Sequence, residues 1–306
     1  MRASHFSIVI SCYNQAAFIC EALDSALQQR QPAKEIIVVD DGSTDGSDVL
    51  LERYRDRISL IRLSENRGAN AARNIGASTA IGEYLVFLDG DDVMLPWALE
   101  VYECVLTLKE PKVILSSMHF FTGSAQDAHI ENPHAVEYCE YQTLMEKDRP
   151  YRASASAIVV KRETFFAAGG WTEQIFPMED LDLIVKLGDA GRTVQIVSPA
   201  TKCYRVHSSN TVSQVRRCIG MLNRVIQRSK TTVYPGARLR SLRRYAFVGG
   251  PAWFWVKKGM RAGFYVEALR LLVHSWPMIC AASWQRVGQR LRGTRYVKSF
   301  ELSAQI

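Results

Sequence analysis

"LVFLDGDD" (residues 85–92) sets four apolar residues against three carboxylates packed into the next four positions. An apolar run of that length, bounded by turn residues, reads as a strand buried on both faces. The carboxylates then stand just beyond its C-terminal end, where their charge needs a positive partner. Two earlier runs share this make-up: "FSIVIS" (6–11) and "EIIVVD" (35–40), the second followed at once by Asp41. "ISLIRL" (58–63) is a further strand candidate. Between them lie segments with helical spacing: "AAFICEALDSALQQ" (16–29), "GSTDGSDVLLERY" (42–54) with capping residues at its start, and the alanine-rich "ANAARNIGASTA" (69–80). Strands without a polar face, alternating with helices, predict an α/β fold on a mostly parallel, Rossmann-like sheet flanked by helices. No GxGxxG occurs, so the usual dinucleotide fingerprint is absent.

Downstream, residues 95–108 read as a helix after Pro96 and "KVILSSM" (112–118) as a strand. Residues 121–150 are polar and irregular, the pattern of a surface excursion. "SAIVV" (156–160) returns to strand, "KRETFFAAGGW" (161–171) is a short helix stopped by a glycine pair, "EDLDLIVKLGDAG" (179–191) is a helix, and "TVQIVS" (193–198) a late strand. From about 213 onward everything reads helical, with breaks expected near Pro235, Gly249–Pro251 and Pro277.

Composition is that of an ordinary globular chain of 306 residues, 47% hydrophobic and 23% charged. The net charge of +7 hides a split: residues 1–210 carry 20 basic and 29 acidic side chains, residues 211–306 carry 18 basic and 2 acidic. The C-terminal part therefore favours an anionic partner. Seven cysteines at 12, 20, 104, 139, 203, 218 and 280 form no CxxC pair and no metal spacing, so free thiols and a cytosolic location are expected. No secretory signal and no apolar run long enough to span a bilayer is evident.

Three acidic groups sit at strand ends or at a helix start: Asp40 and Asp41; Asp89, Asp91 and Asp92; and Glu179 and Asp180. In open α/β sheets the crevice beyond the carboxyl ends of the strands is where ligands bind. Two aspartates two apart on a turn can converge on a hard divalent cation shared with substrate phosphates, which would cancel their charge. Taken singly, each group has a plainer reading as a turn residue, a helix cap or a partner of the helix dipole.

Taken together, in order, the segments resemble the family 2 glycosyltransferases of the GT-A fold. They are "SIVISCYNQAAFICEALDSALQQ", "EIIVVDDGSTDGS", "NRGANAARNIGASTAIGEYLVFLDGDD", "AAGGWTEQIFPMEDLDL" and "YRVHSSNTVS", spanning residues 7–213. The resemblance implies inverting transfer of a sugar from a nucleoside-diphosphate donor to a hydroxyl acceptor, with a divalent Mn or Mg cofactor. It assigns Ser11, Tyr13 and Asp41 to the base and ribose pocket, Arg73 to the nucleotide, Asp89 to the ribose and Asp91 to the metal. His207 matches a histidine near the diphosphate or metal. Asp180 matches the catalytic base, with Glu179 as an orienting neighbour. An unperturbed aspartate, with a pKa of about 3.9, is already deprotonated at neutral pH. Asp92 either supports the metal site or caps the helix after Leu95. Trp171 is either a platform for a sugar ring or a core residue, and Arg73 has the alternative of a solvated helix arginine. Two departures stand out: Thr172 replaces a commoner aspartate, and Met178 replaces the commoner glycine before the ED pair.

The expected division is a catalytic domain over 1–212, with a nucleotide-sugar half (1–118) and an acceptor half (119–212), then a basic, aromatic-rich helical extension over 213–306. That extension either packs its aromatics on the catalytic domain or rests on an anionic membrane surface, which would make the protein cytoplasmic and peripheral on the inner face. A UDP-sugar is the favoured donor, because a carboxylate facing the base suits uracil's N–H. A cell-envelope polysaccharide or lipid-linked glycan is the expected acceptor. Nucleic acid is disfavoured, since no recognition signature accompanies the charge. The competing functions are a non-catalytic nucleotide-sugar-binding relative and a nucleotidyltransferase on a related sheet.

Overall fold

Ile8, Ile10, Val38, Val86 and Leu88 lie in one buried cluster, while their strand neighbours Val9, Ile37, Val39, Leu85 and Phe87 lie in a second. Side chains alternate across a strand, so the apolar runs bury both faces of the sheet, each under its own layer of helices. The computed structural model describes residues 4–123, 131–147, 154–207, 213–230, 234, 242–292 and 297–302.

The first half runs β1 (Phe6–Cys12), α1 (Ile19–Leu27), β2 (Glu35–Asp40), α2 (Ser47–Glu52), β3 (Ser59–Arg62), α3 (Ala69–Thr79) and β4 (Tyr84–Asp89). β5 (Val93–Met94), α4 (Ala98–Lys109), β6 (Val113–Phe121), β7 (Ala135–Tyr141), β8 (Ile158–Lys161), α5 (Arg162–Ala167), α6 (Glu179–Lys186) and β9 (Thr193–Arg205) follow. α7 (Val215–Lys230), α8 (Leu242–Arg261), α9 (Tyr265–Arg292) and β10 (Lys298–Glu301) come last among the described residues. One sheet holds the strands in the order β10-β7-β9-β6-β8-β4-β1-β2-β3, with β5 paired to β9. β3, β2, β1, β4, β6, β9 and β10 run one way; β8, β7 and β5 run the other. The chain moves outward from β1 to β3 and then returns to place β4 on the other side of β1. This switch opens a crevice at the C-terminal ends of β1 and β4.

Several elements differ from the sequence expectation. Residues 135–141 form a sheet strand inside the segment expected as a surface excursion. In "AVEYCEY" Val136, Tyr138, Cys139 and Tyr141 are buried between more exposed glutamates, with a register shift against β9 at Glu137–Tyr138. Residues 124–130 and 148–150 of that excursion, and Pro235, lie outside the described residues. The late strand continues to Arg205 and β6 to Phe121, because they pair with each other through a register shift near Ser117. α8 runs unbroken through Gly249–Pro251 and α9 through Pro277. The last element among the described residues is a strand, β10, which pairs antiparallel with β7 at the sheet edge.

α7, α8 and α9 form a helical layer whose core includes Cys218, Leu222, Trp255 and Met278. Ile175, Leu181 and Val185, from α6 and the loop before it, belong to the same core. Among the described residues no helix is long and apolar enough to cross a membrane.

Candidate active site

Parallel pairing sets the rim of the crevice: Ser11 lies beside Asp89, and Cys12 beside Asp40. Asp40 accepts the Ser43 N–H at 3.1 Å and so shapes the turn after β2. Asp41 is buried, and its two oxygens accept the backbone N–H groups of Arg67 at 2.7 Å and Gly68 at 2.8 Å. Burial raises its pKa, although those N–H donors work the other way. Asp41 thus fixes the turn that launches α3. Ser11 is buried below the rim, and Tyr13 is exposed at it.

α3 aims Arg73 into the crevice, buried rather than solvated. Its guanidinium reaches Asp89 at 2.5 Å, Asn70 at 2.9 Å and Glu179 at 3.5 Å. This is one half of the positive charge that the strand end at Asp89 required. Asn70 and Asn74, on either side of Arg73, tie down the loop that leads to α6. Asn70 donates to the carbonyls of Thr172 (2.9 Å) and Ile175 (2.8 Å), and Asn74 exchanges two hydrogen bonds with the Trp171 backbone.

α6 begins at the acid pair. Its N-cap is Met178 with φ +97°, the left-handed region that favours glycine, which is the physical reason a glycine is commoner there. The Asp180 carboxylate accepts the Leu181 N–H at 2.6 Å. Burial raises the pKa of Asp180 above the ordinary value expected from sequence, and raises that of Glu179 to about 7. Thr172 does not face the crevice. It donates to the fully buried Asp182 at 2.6 Å and accepts from Lys186 at 3.0 Å, so the missing carboxylate at 172 belongs to a structural network. Trp171 takes its core role: its ring is 2% exposed and packs edge-on against Phe87 at 5.1 Å, leaving no face for a sugar. Its ring also carries the Arg73 guanidinium at 5.2 Å.

Beyond β4, Asp91 meets His207 Nε2 at 2.9 Å, each about one fifth exposed, with the His207 ring against Phe18. Burial, with Asp89 beside it, raises the Asp91 pKa, while His207 pulls it down. Gly90 leaves no room for a side chain, because a methyl there would meet Gln15 and approach the Ser11 carbonyl to 3.1 Å. Asp92 does not cap a helix. β5 intervenes, α4 starts only at Ala98, and the buried Asp92 carboxylate accepts the Arg205 N–H at 3.1 Å.

Two cations of β9 complete the compensation and were not singled out from the sequence. Arg205 is buried, donates from Nε to the Asp91 carbonyl at 2.9 Å, pairs with Glu21 and stacks between Phe18 and Phe121. Lys202 is fully buried behind the turn and donates to the Phe87 carbonyl. Desolvation lowers its pKa to about 7, against the pull of Asp92 and Asp89. The signal available was a lysine and an arginine inside a strand that is otherwise buried, since such charges require partners.

Asp91 and His207 offer a carboxylate oxygen and an imidazole nitrogen side by side at a partly open position. That donor pair suits a divalent cation that fills its remaining positions with water and phosphate oxygens. Among the described residues no group of three or more His, Cys, Asp or Glu is gathered into a closed cage.

The sequence profile described as glycosyl transferase family 2 matches residues 7–167, more than half of the chain. An uncharacterized glycosyltransferase of Haemophilus influenzae is 30% identical over 187 residues, which cover 59% of this chain and 61% of that one. The putative teichuronic acid biosynthesis glycosyltransferase TuaG of Bacillus subtilis is 42% identical over 124 residues, 40% of this chain and 48% of that one. The chain thus spans less than two thirds of either relative's length. Among solved structures, S. aureus TarS 1–349 in complex with UDP-GlcNAc gives a TM-score of 0.69 at 19% identity, covering 90% of this chain and 81% of that one. A mannosyltransferase from Pyrobaculum calidifontis in complex with GDP-Man and Mn2+ gives 0.55 at 18%, covering 91% and 86%. At those identities the likeness is one of fold: the sheet and its crevice are of the GT-A type. The chain belongs to glycosyl transferase family 2.

Proposed function

We propose that this glycosyltransferase is inverting and cation-assisted, moving a sugar from a UDP-sugar to a hydroxyl of a cell-envelope polysaccharide or lipid-linked glycan. One observation carries the reading. Arg73 joins Asp89, at the end of β4, to Glu179, at the head of α6, so the donor-side and acceptor-side acids share one crevice. The relatives support the substrate class: TuaG is named for teichuronic acid biosynthesis, the Rhizobium meliloti relative for succinoglycan, and the TarS structure holds UDP-GlcNAc.

In this reading the nucleotide lies over the C-terminal rim of β1, β2 and β4. Ser11 and Tyr13 flank the base and ribose. Asp41 holds the Arg67–Gly68 turn, and its remaining lone pairs accept the base N–H. Asp89, fixed by Arg73, faces the ribose. Asp91 and His207 would hold the Mn or Mg, whose charge offsets that of the departing diphosphate. Arg205 and Asp92 keep the turn carrying Asp91 in register. Asp180 takes the proton of the acceptor hydroxyl as that oxygen bonds to the anomeric carbon. The bond from that carbon to the diphosphate oxygen breaks on the opposite face, and the configuration inverts. Its raised pKa strengthens it as a base, and turnover falls as the pH drops through that pKa. Glu179 orients the acceptor.

The test is turnover of a panel of nucleotide sugars by the purified protein, with the anomeric configuration of the product read by NMR. Asp180→Asn should lower turnover by roughly 10²–10⁴-fold while leaving nucleotide affinity near that of the parent protein. Retention of configuration, or full activity in that variant, would sink the mechanism. Asp91→Asn and a chelator should each weaken donor turnover; a rate indifferent to both would remove the cation from the scheme.

A further inference from the structure

α9 is apolar on two opposite faces. Ala268, Leu271, Met278 and Ala282 are buried on the side packed against α8. Across the helix Val266, Leu269, Val273, Trp276, Trp284 and Val287 are all exposed. At about 100° per residue these six fall within an arc of roughly 80°, and at 1.5 Å per residue the stripe is about 31 Å long. A helix apolar on both sides is one with a partner on both sides, and among the described residues the second face has none. A groove of about 470 Å³ between α8 and α9 continues the stripe. Trp253, Met260, Tyr265 and Leu269 line it, with Lys257 and Arg261 in its wall.

Charge decides what covers this face. Lys257, Arg261 and Arg270 are exposed beside it, in a segment (211–306) with 18 basic and only 2 acidic side chains. One of those acids, Glu267, is already paired with Arg216 at 2.7 Å. A second copy of the chain would set like charges against one another, which costs affinity. An anionic surface satisfies them, and tryptophans beside cations on an apolar helix face are what a lipid interface accommodates.

We propose that the α8–α9 face docks on an anionic lipid bilayer. α9 lies in the plane of the interface with its stripe among the acyl chains, and Lys257, Arg261 and Arg270 meet lipid phosphates. The helical layer shares its core with Ile175 and Leu181, and Arg217 sits over Phe176 at 5.5 Å. Docking therefore tethers the catalytic crevice, through that shared core, to the surface where a lipid-linked acceptor would present its hydroxyl. That last consequence rests on the transferase reading; the docking itself does not.

Flotation of the full chain tests it, with vesicles of phosphatidylcholine alone and of phosphatidylcholine mixed with phosphatidylglycerol. The protein should float with the mixed vesicles only, and less so as salt is raised. Replacing Lys257, Arg261 and Arg270 together with Gln should lower partitioning about a hundred-fold, at roughly five-fold per cation. Trp276→Ser with Trp284→Ser should also abolish flotation, and both variants should turn over donor at the parent rate. Absence of flotation on the mixed vesicles, flotation of both variants equal to that of the parent, or a solution dimer that the tryptophan variant dissolves would each overturn the proposal.

Discussion

Burial at the head of α6 pushes the Glu179 carboxyl up to about 7 from an ordinary 4.5, against the pull of Arg73. Between those two values the folded chain holds a proton that the unfolded chain has released. The contribution of Glu179 to stability is therefore fullest below pH 4.5 and is lost as the pH rises through 7, by up to about 3 kcal/mol at 1.36 kcal/mol per pKa unit. Glu179→Gln has no such proton. Denaturant titrations of the donor-free protein at pH 5 and pH 8 should show the parent losing stability with pH and the variant losing much less. Equal losses would mean that Glu179 is ionised throughout. At this scale the acids were legible because each ends an apolar run. Their partners were less so. Arg73 was readable through the motif around it, while Arg205 and Lys202 lie on a stretch of strand whose extent the sequence did not reveal. Met178 was visible as a departure, but only its positive φ gives the departure a physical meaning.

Elements with one strong period were legible, and elements made by pairing were not. β1, β2 and β4 bury both faces and announce themselves, whereas β7 and β10 are ordered by the strands beside them. α8 looked broken at Gly249, yet that glycine is where α8 and α9 touch. A methyl there lands on the Met278 carbonyl and lies 2.8 Å from the Ile279 nitrogen. Gly249→Ala should therefore cost about 3 kcal/mol or more, because two helix backbones must separate. Gly220, on the exposed side of α7, supplies the contrast, since a methyl there meets nothing within 4 Å. Gly220→Ala should add about 0.5–1 kcal/mol, as expected for a helix-interior glycine without a packing role. Thermal unfolding of the two variants measures the difference; the same sign for both would disprove the close crossing.

For the molecule as a whole, the question is what joins the catalytic sheet to the basic helical layer besides the attraction of their opposite net charges. Part of the answer is apolar, through the core that Leu181 and Val185 share with α7, α8 and α9. The other part is a buried polar knot. Asp182 on α6 is fully buried; it accepts the Tyr234 hydroxyl and the Thr172 hydroxyl, with Lys186 at 3.4 Å and Arg228 of α7 at 3.7 Å. A buried carboxylate is tolerable only while its lone pairs are filled, so each donor matters more than its own hydrogen bond would in water. Tyr234→Phe removes one donor and leaves the shape unchanged. It should cost about 1.5–3 kcal/mol, the range for a hydrogen bond to a charged group, and lower the unfolding midpoint by several degrees. Asp180 lies two residues before Asp182 on the same helix, so the variant also asks whether the knot positions the base. If it does, turnover falls while nucleotide affinity holds, and limited proteolysis finds the α6–α7 junction opened. A Tyr234→Phe protein of parent stability with unchanged proteolysis would mean that the Tyr234 hydroxyl contributes nothing to joining α6 to the helical layer.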